Sequence, residues 1–232
     1  RMKSLVLSFH FALVPMIFLA SVTPTSAKGT TYQTGFQRWR AAEGGFAAWE
    51  LVGVKLDTNG ELQFVPSSAV QGVDPYPAGG YYGGNYYNAG TFLVGEATSQ
   101  ETPASFAFTE AIASWNASTP PGTWIETQMR VQLGGRWTKW YSLGIWAEGK
   151  TTVARHSVKL QGDNDGFVAV DTLVLTNKKS PVQAYQVKLR LFSADDVAVP
   201  AVKNVSVAYS TSPSKKPILS TGNPANWDTL LP

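Results

Sequence analysis

The stretch that most restricts the fold is residues 120–147, PPGTWIETQMRVQLGGRWTKWYSLGIWA, which reads as strand, turn and strand. Ile125, Thr127, Met129, Val131 and Leu133 fall on one side of an extended chain, and Glu126, Gln128, Arg130 and Gln132 fall on the other. A period of two is the mark of a strand with one apolar and one polar face. Gly134-Gly135 can take positive φ without a Cβ penalty and so closes a turn, and the aromatic run from Arg136 starts the returning strand. Counting alternation through that run puts Trp137, Tyr141, Leu143 and Ile145 toward a core. Trp140, Ser142, Gly144 and Trp146 then share the opposite face.

The same pattern recurs along the chain. Tyr185, Val187, Leu189 and Leu191 alternate with Gln186, Lys188 and Arg190, and Val205, Val207 and Tyr209 repeat the motif. Leu51–Leu56 and Glu61–Val65 flank Asp57-Thr58-Asn59-Gly60, whose Asn-Gly pair signals a hairpin. Thr91–Ala97 reads as a short strand. Phe106–Trp115 suits either a strand or a helical turn, with strand favoured. His156–Gln161 places Val158 and Leu160 on one face, and Phe167–Thr176 is apolar on both faces except at Asp171 and Thr172, as in a covered central strand. Thr30–Trp39 reads as a loose polar lead. Gln71–Gly90 alternates five tyrosines with glycine, proline and asparagine, and reads as a long loop. About ten short strands without a long amphipathic helix predict an all-β fold, an antiparallel β-sandwich of jelly-roll type.

Residues 1–27 read as a signal peptide: Lys3 precedes a nearly apolar run from Leu5 to Val22, and Thr25-Ser26-Ala27 offers a small-residue cleavage pattern. An uncleaved anchor is the alternative, although Ser8, His10 and Pro15 interrupt the run. Residues 28–211 then form the sandwich, and 212–232 have linker composition pointing toward a further domain. Arg1 precedes Met2, which suggests a piece of a longer reading frame. The expected product is secreted or extracellular, with no membrane segment after cleavage. Without Arg1 and Lys3, the 19 basic side chains fall to 17 against 16 acidic ones, so no nucleic-acid partner is expected.

The inventory of reactive groups excludes several chemistries. There is no cysteine, hence no thiol nucleophile and no zinc–thiolate or iron–sulfur site, and no cofactor is expected. His156 is the one histidine outside the targeting segment, no G-x-S-x-G elbow occurs, and a strand-end role fits it best. Glu96, Glu101, Glu110, Glu126 and Glu148 are scattered, with no spacing that pairs two of them for glycoside hydrolysis. Asp163-Asn164-Asp165-Gly166 fails as an EF-hand loop and reads as a tight turn, with a calcium site at Asp163 and Asp165 as the alternative. The aromatic residues suit stacking: Trp140 and Trp146, with Tyr81, Tyr82 and Tyr86 of the tyrosine loop, form the candidate ligand-binding set. A second candidate role for the Trp140 and Trp146 face is contact with a neighbouring domain.

GTFLVGEATSQETPASFAFTEAIASWNASTPPGTWIETQMRVQLGGRWTKWYSLGIW at Gly90–Trp146 resembles the N-terminal region of secreted bacterial peptidase C39-like family proteins. So do RHSVKLQGDNDGFVAVDTLVL at Arg155–Leu175, YQVKLRLFS at Tyr185–Ser193 and VKNVSVAYSTSPSKKP at Val202–Pro217. In that family the region precedes a papain-like peptidase domain carrying a catalytic Cys and His. No position here matches the cysteine motif, so no catalytic residue carries over. The resemblance implies an exported, non-catalytic accessory or substrate-binding domain of a C39-like cysteine peptidase, with the peptidase domain as a partner in cis. Its ligand would be peptide or cell-wall polysaccharide. The alternative is a carbohydrate-binding or cell-wall-binding module with no peptidase role.

Overall fold

The computed structural model describes residues 32–76, 87, 90–177 and 180–211. The expected signal peptide 1–27, the linker 212–232, and Tyr81, Tyr82 and Tyr86 lie outside the described residues. In chain order the strands are β1 (Thr34–Arg40), β2 (Glu50–Val52), β3 (Val54–Leu56), β4 (Leu62–Phe64), β5 (Val70–Gly72), β6 (Phe92–Thr98), β7 (Thr102–Pro103) and β8 (Glu110–Ser118). There follow β9 (Thr123–Leu133), β10 (Arg136–Trp137), β11 (Tyr141–Trp146), β12 (Gly166–Ala169), β13 (Thr172–Leu175), β14 (Val182–Ser193) and β15 (Ala201–Ser210). Several span only two or three residues, which is why the count exceeds the ten expected.

All strand pairs are antiparallel and form two sheets. The first runs β12-β13-β8-β15-β4-β3, with β1 also on β15; the second runs β10-β9-β14-β6-β2, with β11 on β9, β5 on β6 and β7 on β14. The main columns are therefore β4-β15-β8-β13 and β6-β14-β9-β11. Successive strands of this set cross between sheets everywhere except from β9 to β11, and the first lies beside the last. That is the double Greek-key order of a jelly roll, as the sequence predicts.

Alternation decides what each sheet buries. Ile125, Met129, Val131, Val187, Leu189, Leu191, Val205 and Val207 are each 0% exposed in the core between the sheets. A second apolar cluster lies on the outside of the second sheet, where Trp124, Phe192, Phe92 and Val94 are covered by Tyr76, Tyr87, Ile145, Val153 and Val158. Trp124 stacks on Phe192 at 5.1 Å and 6°, and Phe92 meets Phe192 edge-on at 5.4 Å, geometries aromatic rings prefer.

Four local readings are corrected. The polar lead 30–39 contains β1, which pairs along β15 from Thr34 to Arg40; as an edge strand it buries one side only, which hides its alternation in composition. Leu51–Leu56 is two strands, because Gly53 at φ 63 breaks the extended chain and sends β2 to one sheet and β3 to the other. Phe167–Thr176 is an edge hairpin rather than a covered strand, turning at Val170 (φ 63), with Phe167 41% exposed. His156–Gln161 holds only an isolated bridge to Ile145. There the Gln161 side chain replaces a strand ladder, accepting from Ser142 N at 2.6 Å and donating to Ser142 O and Val158 O at 2.9 Å each. In β8 the strand reading holds, with Ala111, Ala113 and Ala117 buried and Ile112 exposed.

Candidate functional site

The outer face of the second sheet changes character in steps along β9 and β14. Register places Trp124 beside Phe192 and Val94, Glu126 beside Arg190 and Glu96, Gln128 beside Lys188 and Thr98, and Arg130 beside Gln186. The first of these rows is the covered aromatic cluster. The second is ionic and buried. The last is open, and the two flanking indoles reach it.

Glu126 is 0% exposed, in a row that alternation alone would give to solvent. It accepts hydrogen bonds from the Tyr76 hydroxyl and, at 2.6 Å, from the Tyr87 hydroxyl, and pairs with Arg190 Nη1 at 3.3 Å. Arg190 donates to Tyr87 Oη at 2.8 Å and, through Nε, to Glu96 Oε1 at 3.0 Å; Lys188 Nζ holds the other Glu96 oxygen at 3.0 Å. Burial alone would lower the Arg190 pKa, but Tyr87, Glu126 and Glu96 outweigh it and hold the guanidinium above its ordinary value. Burial, and then the Glu126 charge, push both tyrosine phenols well above their ordinary range. Asp74 ties the same tyrosines by their backbones: Oδ1 accepts from Tyr76 N and Oδ2 from Tyr87 N, each at 2.9 Å. Two of the carboxylates that looked scattered, Glu96 and Glu126, thus meet on one guanidinium. Both serve an ion-pair network there.

Beyond Lys188 the face opens. The Arg130 guanidinium lies 4.6 Å from the ring centroids of both Trp137 and Trp140, and Lys188 Nζ lies 4.9 Å from Trp140. Arg130 Nε and Nη2 donate to Gln186 Oε1 at 2.9 and 2.6 Å. Among the described residues Arg130 has no carboxylate partner. The result is a ledge of indole, guanidinium, indole and ammonium, in which each cation–π contact contributes on the order of 1 kcal/mol. It can present aromatic edges, side-chain amides and an uncompensated positive charge to an elongated ligand.

Trp140 is therefore on the open face, but Trp146 is not beside it. A bulge between Ser142 and Gly144 shifts the register of β11 on β9, so that Ile145 lies opposite Glu126 and Trp146 opposite Ile125. Trp146 packs against the inter-sheet core and Ile145 joins the outer cluster. Trp137, placed toward the core by alternation, stands on the ledge, because the ladder is interrupted at residues 138–140 between β10 and β11. Sequence reasoning also missed Arg130, Lys188, Gln186 and Glu96 as a group; their outward parity was visible, but their register was not.

Asp163 and Asp165 lie in a tight turn after β11. Asp163 Oδ1 accepts from Tyr141 Oη at 2.6 Å and from the backbone of Asp165 and Gly166 at 2.9 and 3.1 Å, and Lys139 pairs with Oδ2 at 3.1 Å. Burial would raise the Asp163 carboxyl, but these donors more than offset it and bring it down to about 2. Arg136 grips Asp165 through both oxygens, at 2.8 and 2.5 Å, and lowers its carboxyl as well. The pair weighed as calcium ligands is thus turned onto protein donors. Among the described residues no three His, Cys, Asp or Glu side chains are grouped to hold a metal. His156 sits at its bridge, with the ring Nδ1 against Ala154 O, a strand-end placement.

A double Greek-key sandwich with one sheet face half covered and half open defines the class of domain. The chain belongs to the Peptidase C39 N-terminal domain family, whose model matches residues 35–210. No curated protein matches its sequence. Among solved structures it is similar to a family two carbohydrate esterase from Cellvibrio japonicus, with 7% identity and a TM-score of 0.31 over 79% of this chain and 37% of that one. It is also similar to a structure of carbohydrate-binding modules from the β-sandwich superfamily, with 12% identity and a TM-score of 0.24 over 74% of this chain and 54% of that one. The chain thus spans little more than a third of the first and about half of the second.

Proposed function

We propose that this is a secreted, non-catalytic accessory domain of a C39-like cysteine peptidase, and that its open sheet face holds substrate for the peptidase domain. The observation that carries the reading is Arg130, held between Trp137 and Trp140 with no carboxylate partner among the described residues. A guanidinium fixed in this way is preorganised, so little side-chain entropy is lost when it meets an anionic group. Peptide carboxylates and acidic wall polymers carry such groups. Family membership supports the accessory role, and the absence of cysteine leaves the family's nucleophile to another domain.

A second reading, a wall-binding module with no peptidase role, is favoured by the polar surround of the indoles. Gln132, in the row beyond Arg130, offers an amide of the kind that sugar hydroxyls use. The test is co-sedimentation of the secreted chain with purified cell walls and with insoluble peptide substrate, alongside tryptophan emission. Binding that falls at least tenfold in Trp140→Ala and Arg130→Gln is expected. No binding to either material, or equal binding by the variants, would refute the ledge as the site. The genomic sequence after Pro232 separates the two readings: an in-frame cysteine followed by a histidine supports the peptidase assignment, and a stop codon supports the free module.

A further inference from the structure

β1 is laddered along one edge. Among the described residues β15 is its one strand neighbour, so the other edge of Thr34–Arg40 meets no ladder. Thr211 N donates to Gln33 O at 3.0 Å, which makes Gln33 and Thr211 a hydrogen-bonded pair. In an antiparallel ladder such pairs alternate with pairs whose N–H and C=O groups turn outward. Gly35, Gln37 and Trp39 therefore bond to β15, and Thr34, Phe36, Arg38 and Arg40 turn their backbone groups to the open edge. One end of that edge is taken: Gly45 N donates to Arg40 O at 2.9 Å, and Gln37 Nε2 donates to Arg38 O at 3.2 Å. What stays open is Thr34 to Arg38, with both backbone groups of Thr34 and Phe36 and the Arg38 N–H unbonded among the described residues.

Such an edge is a template for another strand, and native sheets blunt it with a bulge, a proline, a very short strand or a free charge. β1 pairs with β15 in unbroken register over seven residues and contains no proline. Its two charges, Arg38 and Arg40, are both paired with Glu43, at 3.6 and 3.1 Å. The side chains select the occupant. Centred on Phe36, an antiparallel second copy brings Phe36 opposite Phe36 and Thr34 opposite Arg38 in both directions. All of these are outward-turned residues, so the two edges exchange up to about six backbone hydrogen bonds. Like charges stay apart, because Arg38 meets a threonine rather than Arg38 of the second copy. On the outer face Phe36 is 63% exposed and ends the row Phe36, Ala208, Ile112 and Thr172 across β1, β15, β8 and β13. Pairing sets two such rows end to end, ring beside ring, the cross-strand contact that stabilises sheets.

We infer that β1 joins two copies of this chain edge to edge, antiparallel about Phe36, into one sheet that continues across a two-fold axis. The joint uses no residue of the second sheet, so it is independent of the ledge and places two ledges on one assembly. A polymer long enough to reach both is held at two points, and its second attachment is intramolecular.

The sequence has no cysteine, so single-cysteine variants of the secreted chain report the joint directly. Sedimentation of the parent over a concentration series should show a monomer–dimer equilibrium. Phe36→Cys should form a disulfide-linked dimer on mild oxidation, because the Cα atoms of a hydrogen-bonded antiparallel pair lie about 5.5 Å apart. Ile112→Cys should not, since five strand spacings, about 24 Å, separate Ile112 from its copy. Thr34→Pro removes an outward N–H without touching a bond to β15, and puts its ring where the Arg38 carbonyl of the second copy docks. It should raise the dissociation constant at least about tenfold while the near-ultraviolet circular dichroism stays that of the parent. A parent that is monomeric throughout the series overturns the inference. So does a smaller change in a folded Thr34→Pro, or cross-linking by Ile112→Cys in place of Phe36→Cys, which would show the copies meeting face to face.

Discussion

Replacing Arg190 with methionine tests whether the buried row on β9 and β14 is held as described. The change keeps an unbranched side chain of similar reach but removes the one cation that, among the described residues, pairs with Glu126, whose side chain is 0% exposed. Breaking a buried pair from one side leaves an uncompensated charge and costs about 3–5 kcal/mol. The lost donor to Tyr87, at 2.8 Å, is worth about 1 kcal/mol by itself and is partly included in that figure. Glu96 keeps Lys188 at 3.0 Å, and its side chain is 35% exposed, so its share is small. We expect a loss of about 4 kcal/mol. At a urea m-value of about 2 kcal/mol/M, the midpoint falls by roughly 2 M. Removing both charges in Glu126→Gln/Arg190→Met leaves an amide oxygen to accept from Tyr87 and no buried carboxylate. The double variant should therefore recover at least about 1.5 kcal/mol relative to Arg190→Met, a non-additivity expected of contacting residues. Urea titration by tyrosine and tryptophan emission at pH 7 measures both. A loss below about 1 kcal/mol for Arg190→Met, or strict additivity in the double variant, would refute the account.

Two further expectations follow from local geometry. The Asp163 carboxyl lies at about 2 in the folded chain against 3.8 unfolded, so its contribution is complete above pH 4 and is lost as pH falls through 2. That drop would correspond to at most ~2.4 kcal/mol, and with 35% of the side chain exposed, solvent screening reduces it to about 1 kcal/mol. Asp163→Asn should thus be less stable than the parent at pH 6 and approach it at pH 2; a difference that stays constant across that range counts against the assignment. Leu160 has φ 58 and is 95% exposed, so it bears left-handed strain with little packing in return. Leu160→Asn should raise stability by about 0.5 kcal/mol in the same titration, and a decrease would show that the leucine side chain contributes more than its backbone strain costs.

How much of this was legible depends on what kind of information each feature needs. The strands β9, β14 and β15 were readable because their alternation is long and one face is almost wholly apolar, while Gly134-Gly135 after β9 and Asn59-Gly60 between β3 and β4 marked turns by backbone chemistry alone. β1 was missed because Thr34–Arg40 buries only alternate, partly polar positions at a sheet edge. Parity counting failed at Trp146 for a different reason: one bulged residue at Leu143 exchanges the faces of everything after it, and no side chain announces the bulge. At the ledge, Trp140 was identified from its type, while Arg130 looked like any polar-face residue. What makes it distinctive is its place between two indoles, which depends on how residues 138–140 leave the ladder.

Glu126 connects these cases, and its burial explains where the ledge begins. A hydrophobic row at this position would give comparable or greater stability without the desolvation of two charges, so stability is a poor reason for the ion pair. Its geometry supplies a better one. An apolar patch accepts a covering loop in many orientations, whereas a carboxylate that must receive two phenols and a guanidinium accepts one. Asp74 adds the second constraint by binding the Tyr76 and Tyr87 amides with its two oxygens, so that both ends of the tyrosine-rich stretch are fixed to the same spot. The cover reaches Gln128, whose Nε2 lies 3.4 Å from Tyr76 Oη, and the next row outward is that of Arg130 and Gln186. The buried charges thus fix Tyr76 and Tyr87 over the Glu126 row, two rows from the Arg130 and Gln186 pair that the indoles flank.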